Sequence, residues 1–180
     1  MILEKSVLLP AADVIINSFY LMGIRIDGSR PDPDFYTYML DIEGDVHPLL
    51  HEGRIHLFED IQQGVSVLHS LNIMAEFPSE AQKSQVYILD VAGVLFLLQK
   101  ENTDTSQKIA NLLDFFARSL SGLGVPLPPV FDILATLGPH VDQDPYFGDF
   151  LNSQSFGRER AIDGVRWCLG TLMSLAKITR

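Results

Sequence analysis

The chain has 180 residues, 47% of them hydrophobic, with a net charge of −10 and a single cysteine. That much apolar material excludes a disordered chain and supports one substantial core, while a lone Cys168 excludes an internal disulfide framework. The acidic balance speaks against nucleic acid, whose phosphates are held by clustered Lys and Arg.

Met1 to Phe19 opens with Glu4 and Lys5 before a short apolar run. There is no basic leader with a small-residue cleavage site, which reads as no secretion signal and a cytoplasmic address. Pro10 fits a first helical turn, with Val14, Ile15, Phe19 and Met22 on one stripe behind it. GIRIDGSRPDP from Gly23 to Pro33 is turn-rich, although Ile24 and Ile26 around Arg25 fit a short strand or hairpin near residues 23–27. Asp34 then caps an expected helix carrying Phe35, Tyr38, Met39 and Ile42, ended by Gly44. Another stripe, Leu57, Ile61, Val65, Leu68 and Leu71, predicts a helix from about Glu52 to Asn72, with Gly53 and Gly64 as weak points. Ser79 and Gln82 resemble a capping box.

The box opens onto VYILDVAGVLFLLQ, Val86 to Gln99, fourteen residues in which Asp90 is the only charge. A segment apolar on every side belongs inside a core. As a helix it spans about 21 Å, short of the roughly 30 Å of a bilayer interior, so it predicts a buried central helix (Ser84 to Lys100) and no membrane span. After a polar connector from Lys100 to Ser106, Ile109, Leu112, Leu113, Phe116 and Leu120 predict a helix ending at Gly122. Pro129 starts a helix towards Leu137, His140 to Arg158 reads as irregular, and Ala161 to Ile178 closes as helix. The expectation is an all-α fold: one domain over residues 1–180, a bundle of about six to seven helices around the central one.

Residues 1 to 90 hold 14 acids and 5 bases, against 9 acids and 8 bases in the rest. The excess concentrates in Asp27, Asp32, Asp34, Asp41, Glu43, Asp45, Glu52, Glu59 and Asp60, opposed only by Arg30 and Arg54. An acidic face of this kind steers and orients a basic protein partner. Arg158, Arg160, Arg166, Lys177 and Arg180, interleaved with Glu159 and Asp163, read as the solvated side of a terminal helix.

Three of the five histidines, His47, His51 and His56, fall within ten residues. If Pro48 opens a helix, His47 and His51 sit four apart on one face, a spacing that presents two imidazoles to a divalent metal, with Glu43 or Glu52 completing the set. Neither H-E-x-x-H nor Glu-x-x-His is present. Asp90, a carboxylate in an apolar segment, is a catalytic candidate through a raised pKa; a paired or water-reaching Asp90 is the plainer reading. Cys168 beside Trp167 lacks a local base and reads as a small core residue.

Three functional readings follow. The first is a non-catalytic, acidic helical interaction or inhibitor module using Asp27, Asp32, Asp34, Asp41, Glu43, Asp45, Glu59 and Asp60, without cofactor. The second is an enzyme or sensor with an inter-helix pocket lined by Phe96, Phe115 and Phe116 and addressed by Asp90 or the histidines. The third is a homodimer burying an apolar helix face, in keeping with the positive mean hydropathy.

Overall fold

The computed structural model describes residues 16–73, 86–99, 106–129, 131 and 157–180. These residues form a mixed seven-stranded sheet and four helices, which overturns the all-α bundle. The chain divides into two units, Met1–Leu89 with Leu175–Arg180, and Asp90–Ser174.

In the first unit β1 (Ile16–Arg25) pairs antiparallel with β2 (Phe35–Ile42), Phe19 lying opposite Leu40 and Ile24 opposite Phe35. Both were expected as helices, apart from a short strand near residues 23–27 that proves to be the end of the longer β1. The error has a physical source in β2, whose residues Thr37, Tyr38, Met39 and Leu40 are buried in succession. A strand covered on both faces loses its two-residue alternation, and its apolar run then satisfies helical spacing as well.

Two turns of the same chemistry fold the segment back. Glu43 and Gly44 (φ 54° and 87°) join β2 to β3 (Asp45–Pro48), with Ile42 opposite Asp45. Glu52 and Gly53 (φ 54° and 70°) join β4 (Leu50–His51) to β5 (Arg54–Phe58), with His51 opposite Arg54. Two successive positive-φ residues suit a tight hairpin, and glycine supplies the second at no steric penalty. The expected roles of Gly44 as a helix stop and Gly53 as a helix weak point are corrected accordingly.

The sheet runs β4-β5-β2-β1-β6, with β3 beside β2 and β7 beside β5. Against it lies α1 (Ile61–Ser70), opened by a reciprocal capping box: Asp60 Oδ1 accepts the Gln63 N–H at 2.9 Å, and Gln63 Oε1 accepts the Asp60 N–H at 3.3 Å. Val67 and Leu68 of α1 join Phe19, Leu21, Tyr38, Leu40, Leu49 and Phe58 in one core cluster. The Phe19 and Tyr38 rings meet edge to face at 5.7 Å.

The expected central helix splits at Asp90. Val86–Asp90 is β6, at the sheet edge beside β1, and Tyr87 rests edge-on against Tyr20 at 5.1 Å. Val91–Gln99 is α2, whose Gly93 N–H donates to Asp90 Oδ1 at 2.8 Å, so Asp90 caps the helix start. The segment is not wholly interior, since Ile88 is 55% and Phe96 53% exposed.

In the second unit α2 packs with α3 (Ser106–Gly122) and α4 (Gly157–Ser174). Every residue of the expected α3 stripe, Ile109, Leu112, Leu113, Phe116 and Leu120, is buried. The end of α3 is closed by Gly124 (φ 70°), with Val125 N–H returning to the Leu120 carbonyl at 2.9 Å and Gly124 N–H to that of Ser121 at 3.0 Å. That pair of bonds is a Schellman stop. On α4 the buried positions are Ala161, Val165, Cys168 and Leu172.

The last helix ends earlier than its expected limit at Ile178. Ala176–Thr179 is β7, which returns to the first unit and pairs parallel with β5, His56 beside Lys177 and Phe58 beside Thr179. Pro10, Val14 and Ile15, the Ser79 and Gln82 capping box, residues 100–105, the helix beyond Phe131 and the irregular stretch through residue 156 lie outside the described residues.

Gly64 tests the packing of α1. A Cβ there would overlap the ring of Phe58, which is fully buried and has nowhere to move. Helix propensity alone favours alanine by about 1 kcal/mol, whereas overpacking a core costs about 1–3 kcal/mol. Gly64→Ala is therefore expected to destabilise, read as a lower denaturation midpoint in guanidinium; a higher midpoint would show that α1 does not sit on Phe58.

Candidate functional site

The acids of the first unit have structural duties that sequence alone did not show. In the loop from β1 to β2, the backbone N–H groups of Ile26 and Asp27 donate to Asp34 Oδ2 at 2.6 and 2.8 Å. Asp27 Oδ1 accepts the Ser29 N–H at 2.9 Å, and Asp27 pairs with Arg30 at 3.8 Å. The Ser29 bonds, with a smaller contribution from Arg30, hold the Asp27 carboxyl below its ordinary range. Asp41 Oδ1 accepts the Gly44 N–H at 2.9 Å and so braces the first Glu-Gly turn. Asp60 caps α1. Each of these carboxylates satisfies backbone donors that a loop or helix start would otherwise leave unpaired.

The eight acids assigned to partner binding do not make one face. Asp27, Asp32 and Asp34 lie in the loop before β2, and the pairing of Tyr36 with Phe58 brings Glu59 and Asp60 to that same end. Asp41, Glu43 and Asp45 lie at the other end of β2, about 20–25 Å away at roughly 3.3 Å per residue. Three acids of the first group border a cavity. A cleft of about 590 Å³ is lined by the acids Asp27, Asp34 and Glu59, by Arg30, and by the apolar Ile26, Pro33 and Phe35. Arg180, set at this end by the parallel run of β7 along β5, pairs with Glu59 at 3.4 Å.

The histidines are distributed over strands, which corrects the shared helix face expected for His47 and His51. His47 Nε2 is 3.3 Å from Asp45 on the same strand. His51 and His56 face one another across the β4/β5 hairpin, ring centroids 5.5 Å apart at 71°. His56 is 4% exposed, and neither ring nitrogen has a hydrogen-bond partner. Its pKa is pushed down to about 4, first by burial and then by the Lys177 ammonium and His51, with Glu52 opposing. His51 Nδ1 stands 4.0 Å from Glu52, which in turn stands 3.9 Å from Lys177. Among the described residues, no three His, Cys, Asp or Glu side chains converge as a metal-ligand set.

In the second unit Asp90 works as a helix cap, and Gly93 is required there because a Cβ would overlap the Asp90 carboxyl. Phe115 and Phe116 are buried in the core, whereas Phe96 is exposed, so the three do not share one lining. Burial raises the Cys168 thiol to about 12, which removes it from nucleophilic use near neutrality. The residues that sequence reasoning passed over are Arg30, Phe35, Lys177 and Arg180. A tertiary register brings the last two to β5, and no local pattern announces it.

Comparison of the chain with protein-family models, with curated proteins and with solved structures finds no match.

Two measurements check this geometry. Asp34→Ala leaves two loop N–H groups without their acceptor and should lower unfolding free energy by about 1–3 kcal/mol, with Asp34→Asn losing less because its amide oxygen still accepts. Cys168, buried and protonated, should react with a thiol reagent at pH 8 at least tenfold more slowly in the native protein than in denaturant; equal rates would refute its burial.

Proposed function

We propose that the chain is a non-catalytic binding module that docks a basic segment of a protein partner in the cleft between the 26–34 loop and Glu59. The observation that carries this reading is the cleft's composition: the three carboxylates of Asp27, Asp34 and Glu59 outnumber Arg30 and the Arg180 paired with Glu59, and stand beside the apolar Ile26, Pro33 and Phe35. Lys and Arg side chains match both parts, the charged head meeting carboxylates and the aliphatic stem lying on apolar surface. The Asp27 carboxyl is shifted towards its ionised form, which favours charge recognition over proton transfer.

The acidity that favours such a partner also opposes nucleic acid. No helix among the described residues is long and apolar enough to cross a membrane. A cytoplasmic address completes the proposal, supported by a single, unpaired and buried cysteine.

Screening separates a local site from overall charge. The two acidic groups lie farther apart than the Debye length of about 8 Å at physiological salt, so only one group should govern a cleft-bound ligand. With a fluorescent tri-arginine peptide as probe, Asp27→Asn with Glu59→Gln should weaken binding by about tenfold, measured by anisotropy. Glu43→Gln with Asp45→Asn removes the same charge and should change binding less than about twofold. Equal losses in the two variants, or no binding by the unmodified protein, would overturn the cleft as the docking site.

A further inference from the structure

The buried imidazole of His56 has no place in the cleft, yet it sits where β7 joins the sheet. We infer that proton uptake by His56 releases β7 from β5, so that this strand is an acid-sensitive latch.

The placement rests on register. β5 and β7 run parallel, and Lys177 lies directly beside His56. The titratable and charged groups facing His56 are His51 from β4, Glu52 from the adjoining turn and Lys177 from β7. From β2 comes the neutral Thr37, whose hydroxyl donates to the His56 carbonyl at 2.8 Å. An imidazolium carries two N–H donors. At His56 neither nitrogen has an acceptor, and the new charge would sit beside a second cation in a site shut off from water. A buried, unpaired charge is among the costliest defects a fold can hold, and the molecule relieves it by opening the weakest neighbouring element.

That element is β7. It has four residues, none buried, and within the sheet it pairs with β5 alone. Besides the strand pairing, the ion pairs across this edge among the described residues are Lys177 with Glu52 at 3.9 Å and Arg180 with Glu59 at 3.4 Å, both exposed and so weak. By contrast β2 buries four residues in succession and α1 shares its core. Opening at β7 thus hydrates His56 while disturbing little apolar contact.

The sign follows from linkage. His56 has an ordinary value of 6.5 and a closed-state value of about 4, so the closed form resists the proton and the open form accepts it. The neutral ring's contribution to closure is complete above about pH 6.5 and declines as pH falls towards 4. From those two values the open-to-closed ratio rises about twentyfold between pH 7 and pH 5.

The test is amide hydrogen exchange of the full chain, corrected for intrinsic rates, at pH 7, 6 and 5. Protection of Lys177, Ile178 and Thr179 should fall by about an order of magnitude or more while β1 and β2 stay protected. His56→Gln, which cannot titrate, should hold β7 protection level with pH, and His56→Leu serves if the glutamine variant does not fold. The inference fails if β7 protection does not change with pH. It fails also if the loss persists in the non-titrating variant, which would assign it to the carboxylates, or if β1 and β2 lose protection together with β7.

Discussion

Strand β2 must bury Thr37, Tyr38, Met39 and Leu40 one after another, and that demand shapes the first unit. A strand can bury consecutive residues only if both faces of its sheet are covered and both edges are paired. β1 takes one edge, while β3 and the end of β5 share the other. On one face the cover is visible in residues: Tyr38 and Leu40 meet Val67 and Leu68 of α1, with Phe58 wedged beneath Gly64. The Tyr38 hydroxyl is enclosed without a partner, and burial alone raises its pKa to about 12. The packing of its ring between Phe19 and Phe58 evidently outweighs that unsatisfied group.

Carboxylates set the corners of this architecture. Asp34 gathers the loop before β2, Asp41 braces the turn after it, Asp60 starts α1 and Asp90 starts α2. In each case a short acidic side chain accepts backbone N–H groups where a regular ladder begins or ends. The cleft beside the 26–34 loop is therefore both a structural knot and a negatively charged surface, and the docking proposal draws on the second property without removing the first.

The helix α3 and the last helix's main body are legible in the sequence, because their apolar positions recur at three and four residues on one buried side. The capping of α1 is also within reach, since Asp60 and Gln63 stand at the spacing of a box, although Leu57 extends the apolar stripe and moves the expected helix start ahead of it. The two Glu-Gly pairs were the missed signal. Each joins runs rich in β-branched and aromatic residues, FYTYMLDI before the first and RIHLF after the second. Glutamate is a less familiar first turn residue than asparagine or aspartate, and helical spacing makes Gly44 a helix stop and Gly53 a weak point within a helix.

Sequence by itself determined that the chain is acidic, that its excess charge lies in the first half, and where apolar faces, caps and turns fall along the backbone. These are properties of neighbours, carried by side-chain spacing and local hydrogen bonding. Tertiary structure decided which apolar runs became strands, how Asp90 divides its segment into β6 and α2, and which acids share the cleft. It also decided that His56 lies beside Lys177, more than a hundred positions onward in the chain. Such pairings depend on edges and faces left open by other elements, and their energies appear only when distant segments meet.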